Sequence, residues 1–182
     1  MRELAAQLRI PSRIVITVSD THFGDLKHNL GIVPGPVWKA PEVLARTRAF
    51  DKPDSAGAGR TAYSTSKLAA IYQVHALSRS LPDGVDVVSF NPGFVPGTDL
   101  ARNADPISRF VMKRFLPLLA RTSVATTVED SGVALADVML GVVAAGNGDY
   151  VDRRRVTRSS EESYDNAREA ELVGFLDSIL TR

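Results

Sequence analysis

A tyrosine and a lysine one helical turn apart have the clearest chemical potential in this chain. They form the segment Tyr63-Ser-Thr-Ser-Lys67, and residues four positions apart lie on the same face of a helix. A phenol has an ordinary pKa of about 10, and an adjacent ammonium group lowers that pKa by favouring the phenolate. Tyr63 would then exchange a proton with a carbonyl or alcohol oxygen, as a general acid or base.

Two further polar segments fall where β-strands are predicted to end. Residues 13–19 and 85–91 are continuous runs rich in β-branched residues, which is typical of strands buried on both faces of a parallel sheet. Ser19 closes the first run, and Asn91-Pro-Gly93 closes the second. Because ligands bind at the carboxyl ends of parallel strands, we expect both segments to face the same crevice as the tyrosine–lysine pair.

The order of these elements makes the pattern specific. A helix predicted over residues 61–81 carries the tyrosine–lysine pair and separates the two strands, and this strand–helix–strand order predicts a parallel, right-handed crossover. The pair alone is a weak motif, whereas the whole ordered set is much more specific. Ser19 would hold the reacting oxygen by a hydrogen bond, and the hydride would have to come from a nicotinamide.

The rest of the chain completes a single α/β domain over residues 1–182. Residues 20–60 are rich in Gly and Pro and are predicted as a long loop with a short helix at 41–50, in which Trp38 either closes over substrate or pins the loop. The other predicted elements are a helix at 107–120, a helix from a capping box at Thr126-Thr-Val-Glu129 to residue 140, a brief strand at 149–152, and a C-terminal helix at 159–182 opened by a capping box at Ser159-Ser-Glu-Glu162.

Composition narrows the class of protein. Of 182 residues, 44% are hydrophobic and 24% are charged, which is typical of a globular domain. Lys and Arg (22) nearly balance Asp and Glu (21), so no nucleic-acid partner is indicated. The chain has no Cys, which excludes disulfides and thiolate chemistry. No run approaches the roughly 20 apolar residues of a membrane span, and a cytoplasmic location is the default expectation.

Other polar residues favour structural roles. The arginine-rich run at residues 153–158 is predicted as a solvated loop, because no aromatic residues are interleaved with it. The spacing of His22, His28 and His75 matches no metal-ligand pattern, so we expect loop or helix-surface histidines, with His22 near the substrate mouth. Asp20 has no obvious carboxylate partner, so a glycosidase-type pair is not indicated.

Taken together, Ser19, Tyr63-Ser-Thr-Ser-Lys67 and Asn91-Pro-Gly93 resemble the second half of the short-chain dehydrogenase/reductase family. This family interconverts carbonyls and alcohols with NAD or NADP on a Rossmann fold. The resemblance covers about residues 1–150 and is strongest to the branch of retinol dehydrogenases and protochlorophyllide-reductase-like proteins, which prefers NADP. It implies an α/β fold with a partial Rossmann-like, doubly wound parallel sheet that lacks the N-terminal nucleotide-binding half.

The resemblance also implies a role for each matching residue. Ser19 would orient the substrate oxygen, Tyr63 would be the acid/base, and Lys67 would lower the pKa of Tyr63 and hold the nicotinamide ribose. The other cofactor contacts it implies are Pro92, Gly93, Val95 through its backbone and Thr98 through its hydroxyl. The implied partners are a small carbonyl or alcohol substrate and a second copy of the chain, since family members often pair through the helix that carries the tyrosine.

Several departures from the family pattern leave alternatives open. Only eighteen residues precede Ser19, and they contain no Gly-rich phosphate turn, so we expect no site for the adenosine end of the cofactor and an exposed strand edge. The loop before Tyr63 is longer than usual, and Thr98 lies one residue farther from Gly93. One alternative is a non-catalytic remnant or interaction module that pairs through this edge. A sugar-nucleotide epimerase is disfavoured, because only about thirty residues follow the last predicted strand.

Overall fold

A computed structural model describes residues 7–29, 31, 33–95 and 126–180 of the chain. These residues form an α/β fold around a four-stranded mixed sheet of order β1-β2-β3-β4. The strands are β1 (Ser12–Thr17), β2 (Val85–Asn91), β3 (Tyr150–Asp152) and β4 (Arg155–Thr157). The helices are α1 (Leu26–Asn29), α2 (Pro41–Leu44), α3 (Ala56–Ser78), α4 (Val128–Met139) and α5 (Asn166–Leu180), with 3-10 turns at Asp20–Phe23 and Glu161–Tyr164.

The strand directions bring the carboxyl ends of three strands to one side of the sheet. β1 is parallel to β2, and β2 is parallel to β3, whereas β4 returns antiparallel to β3. The first three strands therefore end at Thr17, Asn91 and Asp152 along the same side, which we call the carboxyl edge. The predicted parallel strand–helix–strand order of β1, α3 and β2 is confirmed.

Helices cover both faces of the sheet, which explains why the strands are continuously apolar. Helix α4 packs on one face and α3 on the other, while α5 packs on the outer side of α3. The buried residues on the α4 face are Val88, Phe90, Ala134, Val138, Ala145 and Val151. Those on the α3 face are Val18, Ile71 and Tyr150, and those between α3 and α5 are Leu68, Tyr72 and Leu172.

Helix α3 begins earlier than the sequence pattern predicts. Its first residue is Ala56, and the Ser55 hydroxyl caps it by accepting a hydrogen bond from the Ala58 amide at 3.1 Å. Gly57 and Gly59, which favour a loop by propensity, lie inside the first turns. An N-cap of this kind contributes about 1 kcal/mol, which offsets much of the cost of a glycine in a helix.

The long segment before α3 is folded back on itself. It contains a 3-10 turn and the short helices α1 and α2, and α2 is a single turn in place of the predicted helix at 41–50. Gly24 has φ +67°, and a Cβ there would lie 2.5 Å from the Cα of Gly35. The close approach of the backbone at these two residues therefore requires glycine. Trp38 packs edge-on against Tyr72 of α3, with ring centres 5.0 Å apart. Trp38 therefore pins this segment to the helix.

Both predicted capping boxes are displaced in the structure. The N-cap of α4 is Thr127, whose hydroxyl accepts from the Asp130 amide at 3.0 Å, one residue later than predicted. Helix α5 begins at Asn166 and not at residue 159, because the carboxylate of Asp165 accepts from the first free amides of the helix. Ser160 instead precedes a separate 3-10 turn and makes no side-chain cap.

The predicted solvated loop at 153–158 contains strand β4. A two-residue turn joins β3 to β4, and its first residue, Arg153, has φ +58°. Glycine usually occupies this left-handed position in tight hairpins, so the sequence carries no hairpin signal. The predicted helix at 107–120 lies outside the described residues. No helix within the described ranges has the length and apolar character needed to cross a membrane.

We expect the α3–sheet contact to be a main source of stability. Replacing the fully buried Ile71 by Ala should lower the free energy of unfolding by about 2–5 kcal/mol, because it leaves a cavity at this interface. Ile179→Ala is the matched control, since Ile179 also lies on a helix but is 47% exposed, and it should cost less than about 1 kcal/mol. Urea denaturation measures both, and equal losses would contradict the described packing.

Candidate active site

Tyr63 and Lys67 share one face of α3, and this face meets the carboxyl edge of the sheet. The Lys67 ammonium nitrogen lies 5.4 Å from the centre of the Tyr63 ring, within cation–π range. The same nitrogen donates a hydrogen bond to the carbonyl oxygen of Thr17, the last residue of β1, at 3.3 Å. Both side chains are half-buried, so the pair borders the sheet without being sealed inside it.

Burial affects the charge of Lys67. Removal from water disfavours an ammonium ion, and this lowers the pKa of Lys67 below its ordinary value of 10.5. The Thr17 carbonyl and the face of the Tyr63 ring are the electron-rich groups that replace part of the lost hydration. An ammonium group uses three N–H donors, and the contact with Thr17 occupies one of them.

Ser19 lies two residues after the end of β1 and caps the first 3-10 turn. Its hydroxyl oxygen accepts a hydrogen bond from the Thr21 amide at 3.4 Å, and its hydroxyl proton is donated to a carboxylate oxygen of Asp20 at 3.3 Å. Ser19 is half-buried. Since Lys67 contacts Thr17, two residues earlier, the structure places Ser19 and the tyrosine–lysine pair at the same end of β1.

The Asn91-Pro-Gly93 segment is held by hydrogen bonds at the end of β2. The Asn91 side chain donates to Asp152 at 3.0 Å and accepts from the Gly93 amide at 3.2 Å. Gly93 has φ +78°, and a Cβ there would lie 2.9 Å from the Thr126 hydroxyl, so only glycine fits. The Ser131 hydroxyl of α4 also donates to the carbonyl of Pro92 at 3.3 Å. The segment is therefore held in a fixed position at the carboxyl edge.

Most of the predicted site residues meet at the carboxyl edge. Ser19 follows β1, the tyrosine–lysine pair borders the end of β1, and Asn91-Pro-Gly93 follows β2. Val95 is half-buried and lies two residues after Gly93. Between them, the Phe94 carbonyl oxygen accepts a hydrogen bond from the Thr126 amide at 2.9 Å. Thr98 lies outside the described residues, so its predicted contact stays a prediction.

The structure adds two carboxylates that sequence reasoning did not connect. Asp20 follows β1, and Asp152 ends β3, close enough for the negative charge of Asp152 to act on Asp20. Arg153, in the turn after β3, donates to Asp152 at 3.3 Å and so adds a cation to this edge. Sequence reasoning found no obvious carboxylate partner for Asp20, and the structure adds the charge of Asp152 as an influence on it. The sequence feature that could have indicated this interaction is an Asp at the end of β3 and another shortly after the end of β1.

Burial dominates the electrostatics of this edge. It raises the pKa of Asp20 above its ordinary value of 3.8, and the charge of Asp152 acts in the same direction, although the Ser19 hydrogen bond opposes the shift. Burial also raises the pKa of Tyr150 far above its ordinary range, again reinforced by Asp152 and Asp20. Tyr150 therefore stays a neutral phenol.

His22 is a core residue, which corrects the expectation of a loop or surface histidine at the substrate mouth. It is 1% exposed, and its Nδ1 lies 2.6 Å from the Ser19 carbonyl oxygen. Its Nε2 accepts a hydrogen bond from the Ser160 amide at 3.1 Å, so the ring proton must be on Nδ1. Burial lowers the pKa of His22 to about 4. A neutral imidazole thus fixes the backbone of Ser19.

The other two histidines also have hydrogen-bond partners within the fold. His28 contacts the Asp25 carboxylate at 2.8 Å, and His75 contacts the Ser163 carbonyl at 3.1 Å. Within the described ranges, no group of three or more His, Cys, Asp or Glu residues is arranged to hold a metal ion. The structure thus assigns each histidine a hydrogen-bonding role.

Comparison with known proteins adds no independent assignment. No family model matches the chain, and a comparison with curated proteins finds no significant match. The interpretation of the site therefore depends on the residue pattern and on the geometry of the carboxyl edge.

We expect stability to fall in acid because of His22. Its folded pKa of about 4 lies below the ordinary 6.5, so the unfolded chain binds the extra proton first, and stability is lost as pH falls from about 6.5 to about 4. The full loss is roughly 3 kcal/mol. His22→Gln keeps a donor and an acceptor without titrating, and urea denaturation should show a smaller acid loss in this variant. Parallel losses in both proteins would contradict the assignment.

Proposed function

We propose that this chain is an NAD(P)-dependent oxidoreductase of the short-chain dehydrogenase/reductase type, with a partial Rossmann-like sheet. It would interconvert a carbonyl and an alcohol by hydride transfer. The observation that carries this proposal is the Lys67 ammonium, which links the Tyr63 ring to the end of β1, two residues before Ser19. A phenol, a cation and a hydroxyl at one strand end are groups that can together support proton exchange at a carbonyl oxygen.

Each side chain has a separate task in the proposed reaction. A bound nicotinamide would supply a hydride to the carbonyl carbon, and the electron pair of the carbonyl bond would move to the oxygen. Ser19 would hold that oxygen by donating a hydrogen bond, and the Tyr63 phenol would transfer its proton to it. Lys67 would stabilise the phenolate that remains. Alcohol oxidation would run these steps in reverse.

The described residues fit the nicotinamide end of such a cofactor. Lys67 has further N–H donors beyond the one that it gives to Thr17, and these suit the hydroxyls of a ribose. By the family resemblance, the Asn91-Pro-Gly93 segment, which is fixed at the end of β2, would border the nicotinamide. By the family resemblance, NADP is the preferred cofactor.

An interaction module is the second candidate, and the position of β1 favours it. β1 is an outer strand of the sheet that the described residues form. Such an edge is a template for a strand from another chain. This function would need neither Tyr63 nor a cofactor, so the two candidates make different predictions for a tyrosine variant.

Tyr63→Phe tests the oxidoreductase proposal directly. Reduced nicotinamide mononucleotide carries the reactive ring and ribose without the adenosine end, so it can be compared with NADPH as the hydride donor. With hexanal or acetophenone as acceptor, we expect Tyr63→Phe to slow oxidation of the donor by about 10²–10⁴-fold, because the proton donor is lost. Absorbance of the reduced nicotinamide measures the rate.

Tyr164→Phe is the matched control, since Tyr164 is exposed and packs under the Arg158 guanidinium, away from the α3 pair. It should keep the wild-type rate. Equal rates in the wild type and Tyr63→Phe would remove Tyr63 from the acid/base role. The absence of any protein-dependent rate with either donor would contradict the oxidoreductase proposal and favour the interaction module.

A further inference from the structure

The Ser19 hydroxyl is already committed to neighbours in its own turn. It donates its proton to Asp20 at 3.3 Å and accepts the Thr21 amide at 3.4 Å. A hydroxyl has one proton and two lone pairs. With Asp20 ionised, the remaining capacity of Ser19 is therefore a single lone pair, and no proton points towards a ligand.

The proposed reaction needs the opposite arrangement. A carbonyl oxygen can only accept hydrogen bonds, so Ser19 must donate to it. An alcohol has one proton, which must go to Tyr63, so Ser19 must donate to the alcohol oxygen as well. An ionised Asp20 consequently competes with the substrate for the proton of Ser19 in both directions of the reaction.

We propose that Asp20 is a positioning residue that sets the direction in which Ser19 donates its proton. As a carboxylate, Asp20 holds this proton away from the substrate oxygen. As a neutral acid, Asp20 donates to the Ser19 oxygen, both lone pairs of that oxygen are occupied, and the Ser19 proton turns towards the substrate. This inference rests on the proposed function and identifies neutral Asp20 as the working form.

The surroundings of Asp20 suit this role. Asp20 is half-buried, and the charged or titratable groups that act on it are Asp152 and Arg153 from the end of β3 and His28 from α1, with Tyr150 behind them. Burial and Asp152 raise the pKa of Asp20, whereas Ser19, His28 and Arg153 lower it, and the net direction is upward. The neutral acid therefore forms at a higher pH than it would for an exposed Asp.

Asp20→Asn tests the role through the pH profile. Its amide is always neutral and can donate to Ser19, so this variant imitates the working form. In the wild type, we expect the rate of hexanal reduction by NADPH to rise as pH falls, because a larger fraction of Asp20 is then the neutral acid. At pH 7.5 the variant should be about 3- to 10-fold faster than the wild type, a ratio that corresponds to the net contribution of one hydrogen bond. Its rate should not increase at acid pH.

Asp51→Asn is the matched control for the charge change, because Asp51 is exposed in the loop before α3. It should keep the wild-type profile. A wild-type profile in Asp20→Asn would overturn the proposal.

A second measurement does not depend on turnover. The carboxyl carbon signal of Asp20, followed by NMR through a pH titration, reports its protonation. Ser19→Ala removes the hydroxyl that favours the carboxylate, so it should raise the pKa of Asp20. An unchanged pKa would overturn the Ser19–Asp20 coupling whatever the protein catalyses. A raised pKa in a protein without turnover would preserve the hydrogen bond, but would overturn both the proposed function and the positioning role.

Discussion

The hydrogen bond from Lys67 to the Thr17 carbonyl, at 3.3 Å, connects helix α3 to the carboxyl end of β1. Tyr63 lies one turn earlier on the same helix face, and Ser19 follows Thr17 by two residues, so this one contact relates all three side chains. It depends in turn on the packing of α3 against the sheet, where Ile71 is fully buried. Any change in the position of α3 would separate the phenol and ammonium from the serine.

The carboxyl edge is a polar network, and its members support one another. Partly buried polar groups destabilise the folded state unless they are hydrogen-bonded. Asn91 meets this need by linking Asp152 to the Gly93 amide, and Arg153 covers the same carboxylate. His22 stays neutral because burial lowers its pKa, and its two ring nitrogens are matched to a carbonyl and an amide. The edge is thus held by directional bonds, while the apolar faces provide the general stability.

Elements with a strong local pattern were predictable, and those that depend on distant partners were not. The continuous β-branched runs located β1 and β2, although only β2 is buried along most of its length and β1 is a half-buried outer strand. β4 was not predicted, because Arg153 occupies a left-handed turn position at which glycine is the usual sequence signal of a hairpin. His22 escaped because its partner, Ser160, lies far along the chain. No periodicity in the sequence records such a contact.

The sequence by itself determined that Tyr63 and Lys67 share a helix face and that Ser19 and Asn91 lie at the ends of neighbouring strands, since these relations depend on local spacing and on strand order. Only the tertiary structure decided the charge states around them. The approach of Asp152 to Asp20 and the enclosure of His22 bring together residues from distant parts of the chain and remove them from water. Desolvation and charge proximity are properties of the packed molecule, and they set the pKa values on which the proposed chemistry depends.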